Sequence, residues 1–142
     1  MAGPDEEAVA VNFTVKIDGE SLGAFTSCDG LSCEFVMETR EEGGNNGVIW
    51  QLPTRLKYSN VKLSRVVAKD SKTIMSWFAG MAKGIKRTTA TIQARTLQGT
   101  VIAEWHLVDV IPVRWTGPQM SADSTKPATE TLEIAHHGFL TG

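Results

Sequence analysis

Five side chains in the sequence carry thiol or imidazole chemistry: Cys28, Cys33, His106, His136 and His137. The two cysteines stand five apart, which is neither the CxxC of a dithiol redox site nor the usual spacing of paired zinc ligands. A metal site would have to recruit His136 and His137 from the far end of the chain, so the expectation is two reduced, partly buried thiols. His106 falls mid-strand at a polar position and the His136-His137 pair at a strand end, with no carboxylate spaced to make either a general base. The GxSxG elbow, the phosphate-cradling P-loop, the dinucleotide fingerprint and HExxH are all missing. No catalytic residue, cofactor or metal is therefore expected, and the reading is of a chain that is not an enzyme. Only ten of the residues are aromatic and none interleaves with a basic stretch, which argues against a base-stacking platform.

The elements that would position these residues are mostly strands. Val11, Phe13, Val15 and Ile17 alternate with polar neighbours, and Asp18-Gly19 then closes a tight hairpin whose return strand covers about 20 to 26. Cys33, Phe35 and Met37 alternate with Glu34 and Glu38 and run into EEGGNNG at Glu41 to Gly47, a loop by composition. Val48 to Leu52 is apolar and is expected to end at Pro53, and Val61, Leu63, Arg65 and Val67 alternate as a further strand. One helix is expected, capped by Asp70 or Ser71, ending at Lys83 before Gly84, with Ile74, Trp77, Phe78 and Met81 on one face. Strands resume over Thr88 to Leu97 and Thr100 to Ile111, Pro112 and Pro118 are expected to stop the ladder, and a last strand covers Thr129 to His137. The sum is a mainly β fold, a barrel or sandwich of about seven antiparallel strands with one flanking α-helix. Its expected core includes Phe13, Val15, Phe35, Ile74, Trp77, Phe78, Trp105 and Trp115.

At 142 residues, 42% apolar and 21% charged, the chain has the size of one domain, with 1–8 as a flexible N-terminus, and needs no disulfide or metal to hold a core. Its net charge of -2 conceals opposed blocks: residues 1–47 sum to -8, residues 48–95 to +9 and the remainder to -3. A chain that carries both signs in separate blocks can satisfy them against a neighbouring copy, and contacts of that head-to-tail kind close into rings or propagate as filaments. No stretch approaches the roughly 18 apolar residues of a membrane span. Asp5, Glu6 and Glu7 stand where a secretory signal carries Lys or Arg, and no apolar stretch follows, so synthesis and folding in the cytoplasm are expected.

Taken in order, several segments resemble the tail tube proteins of contractile phage tails and phage-tail-like contractile injection systems. FTVKIDGESLGAFTSCDGLSCEFV (Phe13 to Val36) is similar to that family's opening hairpin and acidic strand. EEGGNN followed by LPTRLKYSNVKLSR (Leu52 to Arg65) resembles its glycine-rich loop and basic strand, and the Trp77 helix, VIPVRWTGP (Val110 to Pro118) and LEIAHHGF (Leu132 to Phe139) complete the series. Thr54 departs from the glycine common after the Leu-Pro pair, and Arg95-Thr96 from an acidic residue before the Gln98-Gly99 turn.

The resemblance implies a homo-hexameric ring, rings stacked into a hollow inner tube, and as partners a sheath protein, baseplate and tube-terminating proteins and a luminal cargo, either protein effector or DNA. It places the contacts between subunits and rings on Glu38, Arg40, Glu41, Glu42, Asn45, Asn46, Arg55, Lys57, Lys62 and Arg65. The competing reading is a monomeric β-barrel binding module or small enzyme with a pocket inside the barrel, lined by Trp105 and His106. A basic-face nucleic-acid binder is a third.

Overall fold

The computed structural model of the chain describes residues 9–41, 49–67, 71–118, 122 and 128–140. β1 (Asn12–Ile17) and β2 (Glu20–Phe25) form the expected hairpin. Its turn residues Asp18 and Gly19 have φ of 49° and 84°, the left-handed pair that matches the twist of a two-residue hairpin. After one residue, Thr26, comes β3 (Ser27–Asp29), then a long antiparallel pair, β4 (Cys33–Glu41) and β5 (Ile49–Tyr58), then β6 (Val61–Val66). The helix α1 (Ser71–Lys83) leads into β7 (Thr88–Arg95), β8 (Val101–Thr116) and β9 (Thr129–Ala135).

Seven strands make one antiparallel sheet in the order β2-β1-β7-β8-β9-β6-β3. The sixteen-residue β8 is shared: Val101–Val110 pairs with β7 and Ile111–Thr116 with β9. The end strands β2 and β3 are consecutive in the chain, and between them Thr26 donates its amide to the Ser64 carbonyl of β6 at 2.8 Å. The sheet is thus rolled until its two end strands run on from one another at Thr26.

Period-two patterning decides what the barrel holds. Val15, Phe25, Leu63, Ile92, Leu107 and Leu132 are all completely buried, each contributing roughly 1.5–3 kcal/mol by leaving water. Phe13, Trp105 and Trp115 are partly buried against this cluster. α1 lays Ile74 (fully buried) and Met81 onto the barrel, with Trp77 and Phe78 edge to face at 6.4 Å, and Lys83 sits in its last turn where the helix dipole favours a cation. Asp70, the alternative cap, lies outside the described residues.

Three expectations are corrected. Pro53 does not end a strand: β5 continues to Tyr58, because the ladder is already interrupted there by a bulge at Thr54, so a missing N–H costs nothing. Thr54 Oγ1 donates to the Val36 carbonyl at 2.6 Å, filling the gap the bulge makes. Pro112 likewise lies within β8, beside a bulge at Val113 in the stretch that pairs with β9. Phe35, expected in the core, is 56% exposed, because β4 leaves the barrel instead of joining its sheet.

Candidate functional site

The thiols and imidazoles form no reactive centre. Burial, helped by Asp29, pushes the Cys28 thiol up to about 11, so it stays protonated at neutral pH and is inert as a nucleophile. His106 is about half exposed on the outer face of β8, its Nδ1 3.2 Å from Thr91 Oγ1 and its Nε2 3.3 Å from Glu104 Oε1. His137 Nδ1 pairs with Asp109 Oδ2 at 3.4 Å, also in solvent. Among the described residues no group of three His, Cys, Asp or Glu side chains could hold a metal ion. The barrel interior is filled by side chains: Trp105 packs on the core while His106 points away from it, so the two do not line one pocket. Two surface hollows lie beside α1, one against the Asp18 turn and one against Trp115 and Glu130, and a smaller one lies over Lys62, Arg114 and Glu133.

Among the described residues the one buried ion pair ties strands together. Arg65 Nε meets Glu130 Oε1 at 2.6 Å, with both side chains at most 3% exposed. Glu130 also accepts from Ser71 Oγ at 2.8 Å, at the start of α1, and from Trp115 Nε1 at 3.0 Å. Arg65 donates on to the Leu22 carbonyl at 2.5 Å and lies 4.4 Å over the Phe25 ring. One carboxylate therefore ties β6, β8, β9 and α1 together, and the guanidinium extends the tie to β2. Burial pulls the Glu130 pKa up, but the hydrogen bonds from Arg65, Ser71 and Trp115 and the Arg65 charge outweigh it and hold it below the ordinary 4.5. Arg65, expected as a contact between subunits, is corrected accordingly: its charge is spent inside the barrel.

The remaining expected contact residues gather on the β4–β5 ribbon. Opposed pairs alternate between its faces. One face carries Cys33 with Tyr58, Phe35 with Leu56 and Met37 with Pro53; the other carries Glu34 with Lys57, Val36 with Arg55, Glu38 with Leu52 and Arg40 with Trp50. The bulge at Thr54 is what returns Pro53 to the apolar side. Phe35, Met37 and Leu56 are 56%, 47% and 46% exposed, so among the described residues nothing covers this part of the face. Glu38, Arg40, Arg55 and Lys57 are exposed on the ribbon and Lys62 on β6. Glu41 ends β4, while Glu42, Asn45 and Asn46 lie outside the described residues.

Glu130, which the sequence reading passed over, and the burial of His136 had a signal. Glu130 shares the phase of Leu132 and Ile134 on β9, and His136 continues it one residue past the strand, as Arg65 shares that of Val61 and Leu63 on β6. A charge in apolar phase on each of two strands is the mark of a buried pair.

A closed, side-chain-filled barrel that carries an uncovered two-stranded arm defines a structural building block. Residues 9–140 match the model of the T4-like virus tail tube protein gp19 family, and the chain belongs to that family: it is a structural subunit of a tail tube. No curated protein matches it. Solved structures share its fold. A chain of the PVC sheath-tube complex of an extracellular contractile injection system, in the extended state, superposes with a TM-score of 0.80 at 18% identity over 96% of this chain and 92% of that one. A chain of the anti-feeding prophage tube-terminating cap gives 0.77 at 20% identity, over 99% and 93%. Hcp1 from Salmonella typhimurium gives 0.55 at 16%, over 90% and 83%. Among the described residues no helix is long and apolar enough to cross a membrane.

Proposed function

We propose that the chain acts as a single non-enzymatic domain, made in the bacterial cytoplasm, whose copies close into hexameric rings and stack into a hollow inner tube. Sheath, baseplate and tube-terminating proteins are its partners, as in the particles from which its structural neighbours come. Cargo passes through the lumen. The observation that carries this reading is the ribbon. An isolated two-stranded hairpin is marginal in water, and this one presents Phe35, Met37 and Leu56 on one face with β4 and β5 each paired along one edge only among the described residues. A second copy supplies both what the apolar face and what the edges need, and repeated head-to-tail, such a contact builds rings or tubes.

The test is electron microscopy of the purified protein with its sheath and baseplate. Rings or tubes are expected. A species that stays monomeric at high concentration with those partners present overturns the proposal.

A further inference from the structure

The ribbon leaves the barrel through two short connections, 30–32 and 59–60, and both are gripped at one place. A Cβ on Gly30 (φ 96°) would stand 2.1 Å from the Asn60 carbonyl oxygen, so the connections cross backbone against backbone. Asn60 Nδ2 donates to Glu133 Oε2 of β9 at 2.8 Å. Tyr58, the last residue of β5 and the chain's single tyrosine, has its ring centre 5.5 Å from that of His136 and 5.8 Å from that of Phe139, and His136 and Phe139 are 5.2 Å apart. Gly138 closes this triangle with φ of 134°, and a Cβ there would lie 3.1 Å from the Tyr58 ring.

At the centre is a polar ring in an apolar place. His136 is 6% exposed; its Nδ1 accepts the Gly138 amide at 3.1 Å, and its buried Nε2 has no hydrogen-bond partner among the described residues. Accepting at Nδ1 goes with the neutral tautomer that carries its proton on Nε2, while the Gly138 carbonyl lies 3.4 Å from the same Nδ1. A second proton, on Nδ1, would displace the Gly138 amide and leave a cation among Tyr58 and Phe139. The ionisable groups around it are Tyr58 from β5, its chain neighbour His137, which is 3.4 Å from Asp109 of β8, and Glu133 of β9, held by Asn60. Burial sets the His136 pKa below the ordinary 6.5, with His137 adding to the shift and bonds involving Gly138 and Ser59 opposing it.

We propose that the C-terminal segment 136–139 is the seat that aims the β4–β5 ribbon, with His136 as its positioning residue, and that the ribbon is seated only while the His136 ring is neutral. This rests on the reading that the ribbon carries assembly. Mild acid then unseats the arm before it unfolds the barrel, and the subunit loses its competence to join a tube while remaining a folded monomer.

Two readouts test it. In the unassembled protein, the Tyr58 ring resonances should follow a titration with its midpoint below that of an ordinary imidazole, and His136→Gln, a neutral side chain that can still accept from the Gly138 amide, should abolish that titration. In assembly, the wild-type tube fraction should fall at least about tenfold between about pH 7.5 and about pH 5.5, while the ratio for His136→Gln stays within about twofold whatever its yield at neutral pH. His136→Phe serves as a second variant should the Gln form fold poorly. A Tyr58 signal blind to pH, or wild type and variants with the same assembly profile, overturns the seat. Normal tubes from a chain whose ribbon face has been made polar would instead overturn the role of the ribbon, so the two failures are separable.

Discussion

Arg65 and Glu130 stand directly opposite each other on β6 and β9, and their side chains turn into the barrel to meet at 2.6 Å between Nε and Oε1. Around them Ser71 and Trp115 donate to the same carboxylate, so the loss of one charge would leave the other buried and unpaired. Glu130→Gln or Arg65→Met should each destabilise the fold by about 3–5 kcal/mol, measured by denaturant unfolding. The double replacement Arg65→Met with Glu130→Leu should cost less than the sum of the single ones, as expected when each single change strands its partner. Additive losses would show that the two residues are not coupled.

Stability should fall with acid in two stages. His136 and Glu130 both have pKa values depressed on folding, so each contributes stability that is complete above its unfolded value and lost as pH falls through its folded one. The first decline should begin just below 6.5 and vanish in His136→Gln; the second should begin just below 4.5 and vanish when Glu130 is replaced. Unfolding free energies across a pH series check this, and a curve flat between 6.5 and 4.5 in the wild type would contradict the first stage.

Much of this was readable in the one-dimensional pattern. The strict alternation from Val11 to Ile17, the Asp18-Gly19 turn and the Ile74-Trp77-Phe78-Met81 stripe each have a local cause, and each appears where that cause puts it. Phe35 was not readable, since alternation says that a residue lies on an apolar face but not whether the same chain covers that face. Pro53 and Pro112 misled for a related reason: whether a strand tolerates proline depends on a bulge in the ladder, which is a property of the pairing. Arg65 and Glu130 were visible separately as charges in apolar phase, but only the β6–β9 register pairs them.

Polar replacement of the ribbon face should separate folding from assembly. Phe35→Ser with Leu56→Ser removes two half-exposed apolar side chains that pack on no part of the barrel core, so the melting temperature should hold within a few degrees. Tube yield in negative-stain micrographs should collapse. Unaltered yield would move the assembly contact elsewhere.

Charge reversal at the tip of the ribbon probes stacking. Glu41→Lys with Glu42→Lys should impair the joining of rings while leaving circular dichroism and thermal unfolding unchanged, because Glu41 closes the last pair of β4 with Ile49, far along the chain from the core. Tubes of normal length from this variant would rule out the acidic tip as a contact.

Gly30→Ala should be the harshest single-methyl change in the arm. The left-handed backbone disfavours alanine, and the added carbon meets the Asn60 carbonyl, which is backbone and cannot swing aside. A loss of about 2 kcal/mol or more is expected, whereas Gly19→Ala, where a Cβ meets nothing within 4 Å, should cost only the left-handed strain.

The seam at Thr26 has a mechanical consequence. Because a single residue joins β2 to β3, the staves of the sheet are hooped by covalent chain at the point where a rolled sheet would otherwise unzip. Load travelling along a column of such units meets no weak rim inside any one of them, so a stressed column should part at the joints between copies, and each copy should come away whole.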